Sequence, residues 1–372
     1  MKRLIVALFF FALLTQCKPS SHPNSQSNNS VQYAAHFSLE NKGAFQILKV
    51  LQAYPNGPDY TYILKKAHAQ LPDSLKKYPQ IIVPVKNIVA TSTLHLPHLE
   101  ILGLSDKLVG FSNTQYISSP VFRKKIADGS LQEVGKGRHL NTEVVLLLNP
   151  DVIMAFSSGD QTGSNQSLFQ DKIPLIYNAD WMETNPLGRA EWIKVFGALF
   201  QKEKQADSIF KTIEKAYLKV QNELPKKDPK PMVFQGGIFG DKWFVPGGIS
   251  YAAQLIKDAG GIYMWQENPS TGSISLNFEN ILLKLPTANI WLNPGMVETK
   301  AQLAQENSFL KKLPVFQNNQ IYTYSLTKGP TGGLLYFEQS NLHPDWVLED
   351  LYHIFYPYEQ KTYTFHFYQK LP

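Results

Sequence analysis

Cysteine is almost absent from this chain, since Cys17 is the only one in 372 residues. No intramolecular disulfide can therefore form, and the fold must be held by packing alone. After the N-terminal segment, no apolar run reaches the roughly 18 residues that a membrane-spanning helix needs. A second membrane anchor is therefore not predicted.

Motifs of hydrolytic and nucleotide chemistry are also missing. The sequence has no Gly-x-Ser-x-Gly elbow, no His-Glu-x-x-His and no Gly-rich phosphate loop ending in Lys-Ser or Lys-Thr. Asp160 with Asp180 or Glu183 could form an acid pair, but nothing in the sequence sets their separation. We therefore expect no enzyme, with an exported hydrolase as the lower alternative.

Excess charge is small. The formal net charge is +6, and it falls by two when Lys2 and Arg3 are removed with the leader. Such a mild excess is weak evidence for nucleic acid, and we predict no nucleic-acid partner. Hydrophobic residues make up 43% of the chain and aromatic residues 12%, which is enough to fill two cores.

The N-terminus contains the single cysteine and an apolar run that precedes it. Two basic residues precede an apolar run from Leu4 to Leu14, which predicts a signal peptide over residues 1–16. Leu14-Thr15-Gln16-Cys17 resembles a bacterial lipoprotein signal, although a small residue is usual where Gln16 stands. The resemblance implies lipidation of Cys17, and residues 17–30 read as anchor and flexible tether. An ordinary signal peptide with an incidental cysteine is the alternative, and either reading predicts export.

Strand and helix patterns alternate along the remainder, which predicts an α/β fold. One of the predicted helices covers residues 94–104 and ends near Gly103. A leading β-hairpin is expected at 44–66, around the turn signal Pro55-Asn56-Gly57-Pro58. We place an N-terminal α/β lobe at 31–185, a helical connector at 186–228 and a C-terminal α/β lobe at 229–372. Within the connector, amphipathic patterns predict a helix over 187–200 and one long helix over 201–224.

Several short motifs in order along the chain give a family resemblance. The chain resembles the substrate-binding lipoproteins of iron-complex (siderophore or haem) and cobalamin ABC importers. The motifs include Leu102-Gly103-Leu104-Ser105-Asp106, Leu148-Asn149-Pro150-Asp151, Phe196-Gly197-Ala198-Leu199, Ala259-Gly260-Gly261 and His343-Pro344-Asp345. The resemblance implies two Rossmann-like lobes with central parallel sheets, joined by a long rigid helix, the class III periplasmic binding protein type.

That resemblance also implies a function. Such proteins hold a small metal chelate or corrinoid between the lobes and hand it to a permease and ATPase complex, without chemistry on the ligand. We expect no cofactor, a monomer, and a lipid-anchored protein facing the periplasm or cell exterior. A bare-metal (zinc or manganese) binding protein is the alternative, because His95 and His139 follow strand ends. No His-rich loading loop supports that alternative, and no metal site is predicted.

Candidate ligand residues follow from strand ends and from the resemblance. Open α/β sheets bind ligands at the carboxyl ends of their strands. This rule selects residues 91–95, 113–116, 136–139 and 157–160 in the first lobe, and 236–239, 243, 265, 293–295 and 327–330 in the second. Basic side chains there favour an anionic chelate, and aromatic ones would offer flat apolar surface. The candidates are Tyr116, Lys136, Arg138, His139, Trp243, Trp265, Lys328, Tyr336 and His95.

Two glutamates form a separate pair. Glu143 and Glu279 each lie two residues after the asparagine of a Leu-Asn pair, Leu140-Asn141 and Leu276-Asn277, at the start of a predicted helix in each lobe. Asn141 and Asn277 could simply cap those helices, with the acid favourable to the helix dipole. The resemblance implies that one glutamate on each lobe meets arginines of the permease.

Overall fold

In this computed structural model, the described residues are 31–136, 139–159, 173–226, 229–240, 242–357 and 363–372. A four-stranded sheet comes first, in the order β1-β2-β3-β4. The predicted hairpin is confirmed as its central pair, and a strand flanks that pair on each side. The strands are β1 (Phe37–Asn41), β2 (Phe45–Val50), β3 (Tyr60–Lys65) and β4 (Gln80–Ile82).

The N-terminal lobe is built on a parallel sheet in the order β11-β10-β5-β6-β7. Its central strands are apolar and fully buried, as expected for a sheet covered on both faces. A two-stranded hairpin, β8–β9, stands beside it. The strands are β5 (Ile88–Ala90), β6 (Leu108–Phe111), β7 (Gln132–Glu133), β8 (Gly135–Lys136), β9 (His139–Leu140), β10 (Val152–Ala155) and β11 (Leu175–Tyr177).

In the described part of this lobe, three α-helices accompany these strands: α1 (Leu96–Ile101), α2 (Pro120–Ala127) and α3 (Thr142–Leu148). The helix predicted over 94–104 begins as a 3₁₀ turn at Thr93–His95 and ends before Gly103, whose φ of +67° favours glycine. Helix α2 was not predicted.

The connector contains three helices, α4 (Pro186–Glu191), α5 (Ile193–Leu199) and α6 (Glu203–Asn222). Helix α6 has 20 residues and is about 30 Å long at about 1.5 Å per residue. Its first half buries Ala206, Phe210 and Ile213 in the N-terminal core, whereas Tyr217 belongs to the C-terminal core. One helix therefore packs into both lobes.

The C-terminal lobe repeats the plan with a sheet in the order β15-β12-β17-β18-β19, in which only the edge strand β19 is antiparallel. A three-stranded antiparallel sheet, β13-β14-β16, was not predicted. The strands are β12 (Met232–Gln235), β13 (Gly237–Phe239), β14 (Lys242–Pro246), β15 (Ile262–Tyr263), β16 (Ser273–Leu276), β17 (Ile290–Leu292), β18 (Ile321–Thr323) and β19 (Gln369–Lys370).

Across the described residues of this lobe, six α-helices accompany these sheets. They are α7 (Tyr251–Asp258), α8 (Phe278–Leu282), α9 (Lys300–Glu306), α10 (Pro314–Gln317), α11 (Leu335–Gln339) and α12 (Pro344–Phe355). Among the residues described, no helix is both long and apolar enough to cross a bilayer. The predicted fold class, α/β with two lobes on parallel sheets, is confirmed.

Candidate functional site

A cavity of about 390 Å³ lies between the two lobes. Its N-terminal side follows the ends of β5 and β6, where open α/β sheets bind ligands. The lining from this lobe comprises residues 91–93, residues 111–113 and Tyr116. The opposite lining comprises Met296, Gly332, Gly333, Leu334 and Phe337.

Hydroxyl groups dominate the N-terminal wall. Thr91 Oγ1 accepts a hydrogen bond from the backbone N–H of Phe156 at 2.9 Å. Ser92 Oγ accepts from the N–H of Leu94 at 3.3 Å. Each hydroxyl is thus oriented as an acceptor by the protein and keeps its own proton for donation. This wall can donate hydrogen bonds to polar atoms of a ligand.

Tyr116 lies in this wall with 53% of its surface exposed. It ends a 3₁₀ turn, Thr114–Tyr116, whose first residue is held by hydrogen bonds to Glu133 and Arg123. Glu133 accepts from Thr114 N at 3.1 Å and Thr114 Oγ1 at 2.8 Å, while Arg123 donates to Thr114 O at 3.0 Å. The predicted aromatic therefore faces the cavity on a rigid support.

Apolar groups dominate the C-terminal wall. Met296 is 69% exposed and Phe337 is 49% exposed, although both are large hydrophobic side chains. The Phe337 ring packs edge-on against Tyr324, with centroids 5.4 Å apart, and against Tyr336 at 5.7 Å. A ligand bound in the cavity would remove the exposed apolar surface of these two side chains from water.

The described basic residues that were predicted to face the ligand lie outside the cavity lining. Lys136 and His139 are exposed on the β8–β9 hairpin and do not line the cavity, and Arg138 lies outside the described residues. Lys328 pairs with Glu298, and this hydrogen-bonded contact lowers the pKa of the Glu298 carboxyl. The described lining contains no charged side chain.

A loop of the C-terminal lobe, residues 327–334, closes one side of the cavity against the other lobe. Ser118 Oγ donates to Gly333 O at 3.2 Å, and Thr331 Oγ1 donates to Gln115 O at 2.6 Å. A Cβ on Gly329 would collide with the Ser118 side chain, and one on Gly333 with the Tyr116 carbonyl. Glycine is needed at both positions because the loop backbone lies directly against Ser118 at Gly329 and against the Tyr116 carbonyl at Gly333.

Three predicted aromatic or imidazole ligand residues are instead buried. Trp243 packs against Phe234 and Trp291 inside the C-terminal lobe. Tyr336 stacks on Tyr324 at 4.1 Å between centroids, and burial raises the pKa of its hydroxyl. His95 is also buried. The prediction that these side chains face the ligand is corrected, because none has a free surface to offer.

Trp265 is partly buried and also lies outside the cavity lining. Its ring packs 5.6 Å from that of Phe234, and Lys284 Nζ lies 5.2 Å from its ring centroid. A cation over an aromatic face is a favourable contact, so these neighbours account for the position of the indole.

Burial lowers the pKa of the His95 and His98 imidazoles to about 3, so both are neutral at physiological pH. The His98 ring stacks on Phe196 at 4.8 Å. Within the described part of the chain, no group of three or more His, Cys, Asp or Glu could hold a metal ion.

Asp180 and Glu183, two of the acids considered for a hydrolytic pair, are both buried in the N-terminal lobe. Glu183 is buried and accepts hydrogen bonds from the backbone N–H of Ala35 and His36, both at 2.8 Å. Asp180 is buried, and burial raises its carboxyl pKa to about 6. Its oxygens make no hydrogen bond of good geometry, although Asn341 lies beside them. Asp160 lies outside the described residues.

Glu143 and Glu279 are exposed at the starts of α3 and α8. The expected caps form: Asn141 accepts from Val144 N at 3.2 Å, and Asn277 accepts from Asn280 N at 3.0 Å. The two acids thus occupy matching places on the two lobes.

Met296 and Phe337 were missed by the sequence reasoning. Met296 directly follows Asn293-Pro294-Gly295, a segment that the strand-end rule had selected, and Phe337 stands beside the chosen Tyr336. The signal was therefore one residue away in each case. Which neighbour faces the cleft depends on how each loop leaves its sheet.

Comparison with known proteins agrees with this architecture. An uncharacterized lipoprotein of Methanocaldococcus jannaschii is 25% identical over 325 residues, 83% of this chain and 75% of that protein. A periplasmic heme-binding protein from Pseudomonas aeruginosa superimposes with a TM-score of 0.58 at 18% identity, covering 77% of this chain and 98% of that one. The periplasmic vitamin B12-binding protein BtuF of Vibrio cholerae gives 0.51 at 14% identity, covering 75% and 99%.

The periplasmic binding protein family model matches residues 88–326, more than half of the chain, from strand β5 to just beyond strand β18. With two parallel-sheet lobes, a helix packed into both, and a cavity between strand ends, this chain belongs to the periplasmic binding protein family.

Proposed function

We propose that this protein captures a small metal chelate or corrinoid between its lobes and delivers it to an ABC importer made of a permease and an ATPase. The observation that carries the proposal is the cavity itself. Hydroxyls of the N-terminal lobe face the apolar surfaces of Met296 and Phe337 across about 390 Å³. Proteins of similar fold bind heme and vitamin B12.

The described lining favours a ligand with little net charge. A strongly anionic chelate in a partly desolvated cleft would need cationic partners. Lys136 and His139 lie outside the lining, and Lys328 is engaged with Glu298. We therefore shift the sequence-based preference for an anionic chelate toward a neutral amphipathic one, such as a corrinoid.

Ligand titration tests this proposal. Purified protein lacking residues 1–17 is titrated with cobalamin, heme, ferric siderophores of different charge, and Zn²⁺ or Mn²⁺, while tryptophan fluorescence and calorimetry are followed. We expect one chelate or corrinoid to bind with Kd below about 10 μM, with a neutral ligand preferred. Tight binding of a bare metal alone would contradict the proposal.

Delivery is proposed to use Glu143 and Glu279. Their exposure at matching places on the two lobes suits a permease that presents a cation to each. Charge pairs of this kind supply register and association rate more than affinity. The double variant Glu143→Ala, Glu279→Ala should keep ligand affinity and lose uptake. The exposed acid Glu306 provides the control, because Glu306→Ala should preserve both.

Membrane attachment through Cys17 is the remaining part of the proposal. A relative that is itself a lipoprotein supports it, and tethering would raise the concentration of the receptor near its permease. Cys17→Ser should release the protein from washed membranes into the soluble exported fraction and leave ligand affinity unchanged. Membrane retention of Cys17→Ser would contradict lipid anchoring at this residue.

A further inference from the structure

Two of the three most exposed large hydrophobic side chains in the described structure are leucines at matching positions. Leu147 is 85% exposed and Leu283 is 79% exposed. Neither side chain gains appreciable burial from folding. Single exposed leucines are ordinary on protein surfaces. What distinguishes these two is their position relative to Glu143 and Glu279.

Each leucine comes four residues after a proposed docking acid: Leu147 after Glu143, and Leu283 after Glu279. Residues four apart on a helix lie on the same face. Leu147 is within α3, and Leu283 keeps helical dihedral angles at the end of α8. Each acid therefore has an apolar neighbour on the same exposed face.

The two segments also share the features that aim this face outward. Both read Asn-x-Glu-x-(Val or Ile)-Leu-Leu, from Asn141 and from Asn277. The asparagine caps its helix in each case, and the branched residue, Val145 or Ile281, is fully buried. The cap and the buried anchor hold each helix in the same orientation on its lobe, so acid and leucine project together.

We propose that Leu147 and Leu283 are paired apolar docking contacts, each inserting into a socket on the permease beside the cation that meets Glu143 or Glu279. The proposal deepens the delivery step above and rests on it. A permease with two related halves would offer one cation and one apolar socket to each lobe. Exposed carboxylates would steer the encounter, whereas burial of the leucines would slow dissociation.

The proposal is tested by measuring association and dissociation rates separately, because the glutamates should affect the first and the leucines the second. Full-length protein is bound to nanodiscs containing the permease–ATPase complex whose deletion abolishes uptake. The probes are wild type, Leu147→Gln with Leu283→Gln, and Glu143→Gln with Glu279→Gln, at low and high salt. We expect the leucine pair to weaken binding at least about tenfold through faster dissociation, with the salt dependence of association unchanged. The glutamate pair should slow association and remove its salt dependence.

Leu218→Gln is the control, because Leu218 is a partly exposed leucine on α6 outside both segments. It should leave dissociation unchanged, and all variants should keep ligand affinity and thermal stability. Permease binding within twofold of wild type for the leucine pair would overturn the proposal. Loss of a homodimer in that variant, with permease binding intact, would also overturn it, because the leucines would then join copies of this chain. Failure of wild type to bind the complex would reject delivery itself.

Discussion

The carboxylate of Glu338 in the C-terminal lobe accepts a hydrogen bond from the backbone N–H of Ser118 in the N-terminal lobe at 2.6 Å. Its second oxygen accepts from Ser119 N at 2.9 Å. Burial raises the pKa of this carboxyl, and the two hydrogen bonds from the backbone N–H groups of Ser118 and Ser119 act in the opposite direction. Ser119 is the N-cap residue of α2, so Glu338 also places negative charge at the positive end of a helix in the other lobe. The lobes are therefore joined by a buried clasp beside the cavity.

Removal of this clasp should loosen the lobes. Glu338→Ala leaves two buried N–H groups without an acceptor, and we expect the free energy of unfolding to fall by about 3 kcal/mol. Glu338→Gln keeps one acceptor oxygen and should cost less. Urea denaturation measures both, and hydrogen exchange at residues 117–119 should rise in the alanine variant. Glu306→Ala is the exposed control, expected within about 0.5 kcal/mol of wild type. An equally small effect of Glu338→Ala would contradict the clasp.

Asp180 predicts a pH-dependent stability difference. Because its folded-state pKa is raised to about 6, the folded protein binds more protons than the unfolded chain between about pH 4 and 6. The contribution of Asp180 to stability is therefore present at low pH and lost as pH rises through that window. Asp180→Asn removes the dependence, so the variant should gain about 3 kcal/mol relative to wild type between pH 4 and 7. Urea denaturation at both pH values checks this, and a pH-independent difference would refute it.

Ligand affinity should depend on the apolar wall more than on the hairpin cations. Phe337→Ala removes an exposed ring from the cavity and should weaken chelate or corrinoid binding about tenfold, corresponding to roughly 1.4 kcal/mol. Lys136→Ala, outside the lining, should change Kd less than twofold. Calorimetric titration of both variants with the same ligand decides between them. The reverse ranking would restore an anionic chelate held by the basic hairpin.

Trp243 should matter for folding and not for binding. Trp243→Ala deletes a buried indole among Phe234, Phe278 and Trp291, which costs about 3–5 kcal/mol for large-to-small core changes. Trp243→Phe keeps most of the volume and should fold. Thermal unfolding measures the first effect, and ligand Kd of the phenylalanine variant measures the second. A clear loss of ligand affinity in a stably folded Trp243→Phe variant would show instead that Trp243 contributes to ligand binding.

Sequence reasoning was most accurate where the periodic pattern was long or the turn chemistry strong. The hairpin flanking Pro55-Asn56-Gly57-Pro58 and the connector helix α6 both formed near their predicted limits. The predicted helix over 187–200 is broken into α4 and α5 at Trp192. The antiparallel sheet β13-β14-β16 was missed, because its strands are short and β16 pairs with β14 from about 30 residues further along the chain.

Candidate site residues were harder to predict than elements. Strand ends selected Tyr116 and residues 91–93, which line the cavity, since parallel strands bring their carboxyl ends to one edge of the sheet. Trp243 and Tyr336 were misplaced because an aromatic near a strand end can face either cleft or core. Which way it faces depends on packing partners that are distant in sequence.

Local sequence was sufficient for the α/β class and for the helix starts that carry Glu143 and Glu279. These follow from periodicity and capping, which act over a few residues. Tertiary structure alone decided that the described cavity lining is uncharged, that Met296 and Phe337 face the ligand space, and that Glu338 clasps Ser118 across 220 positions of chain. Such features arise only when segments far apart in sequence are packed together, because burial and hydrogen-bond partners belong to the assembled lobes.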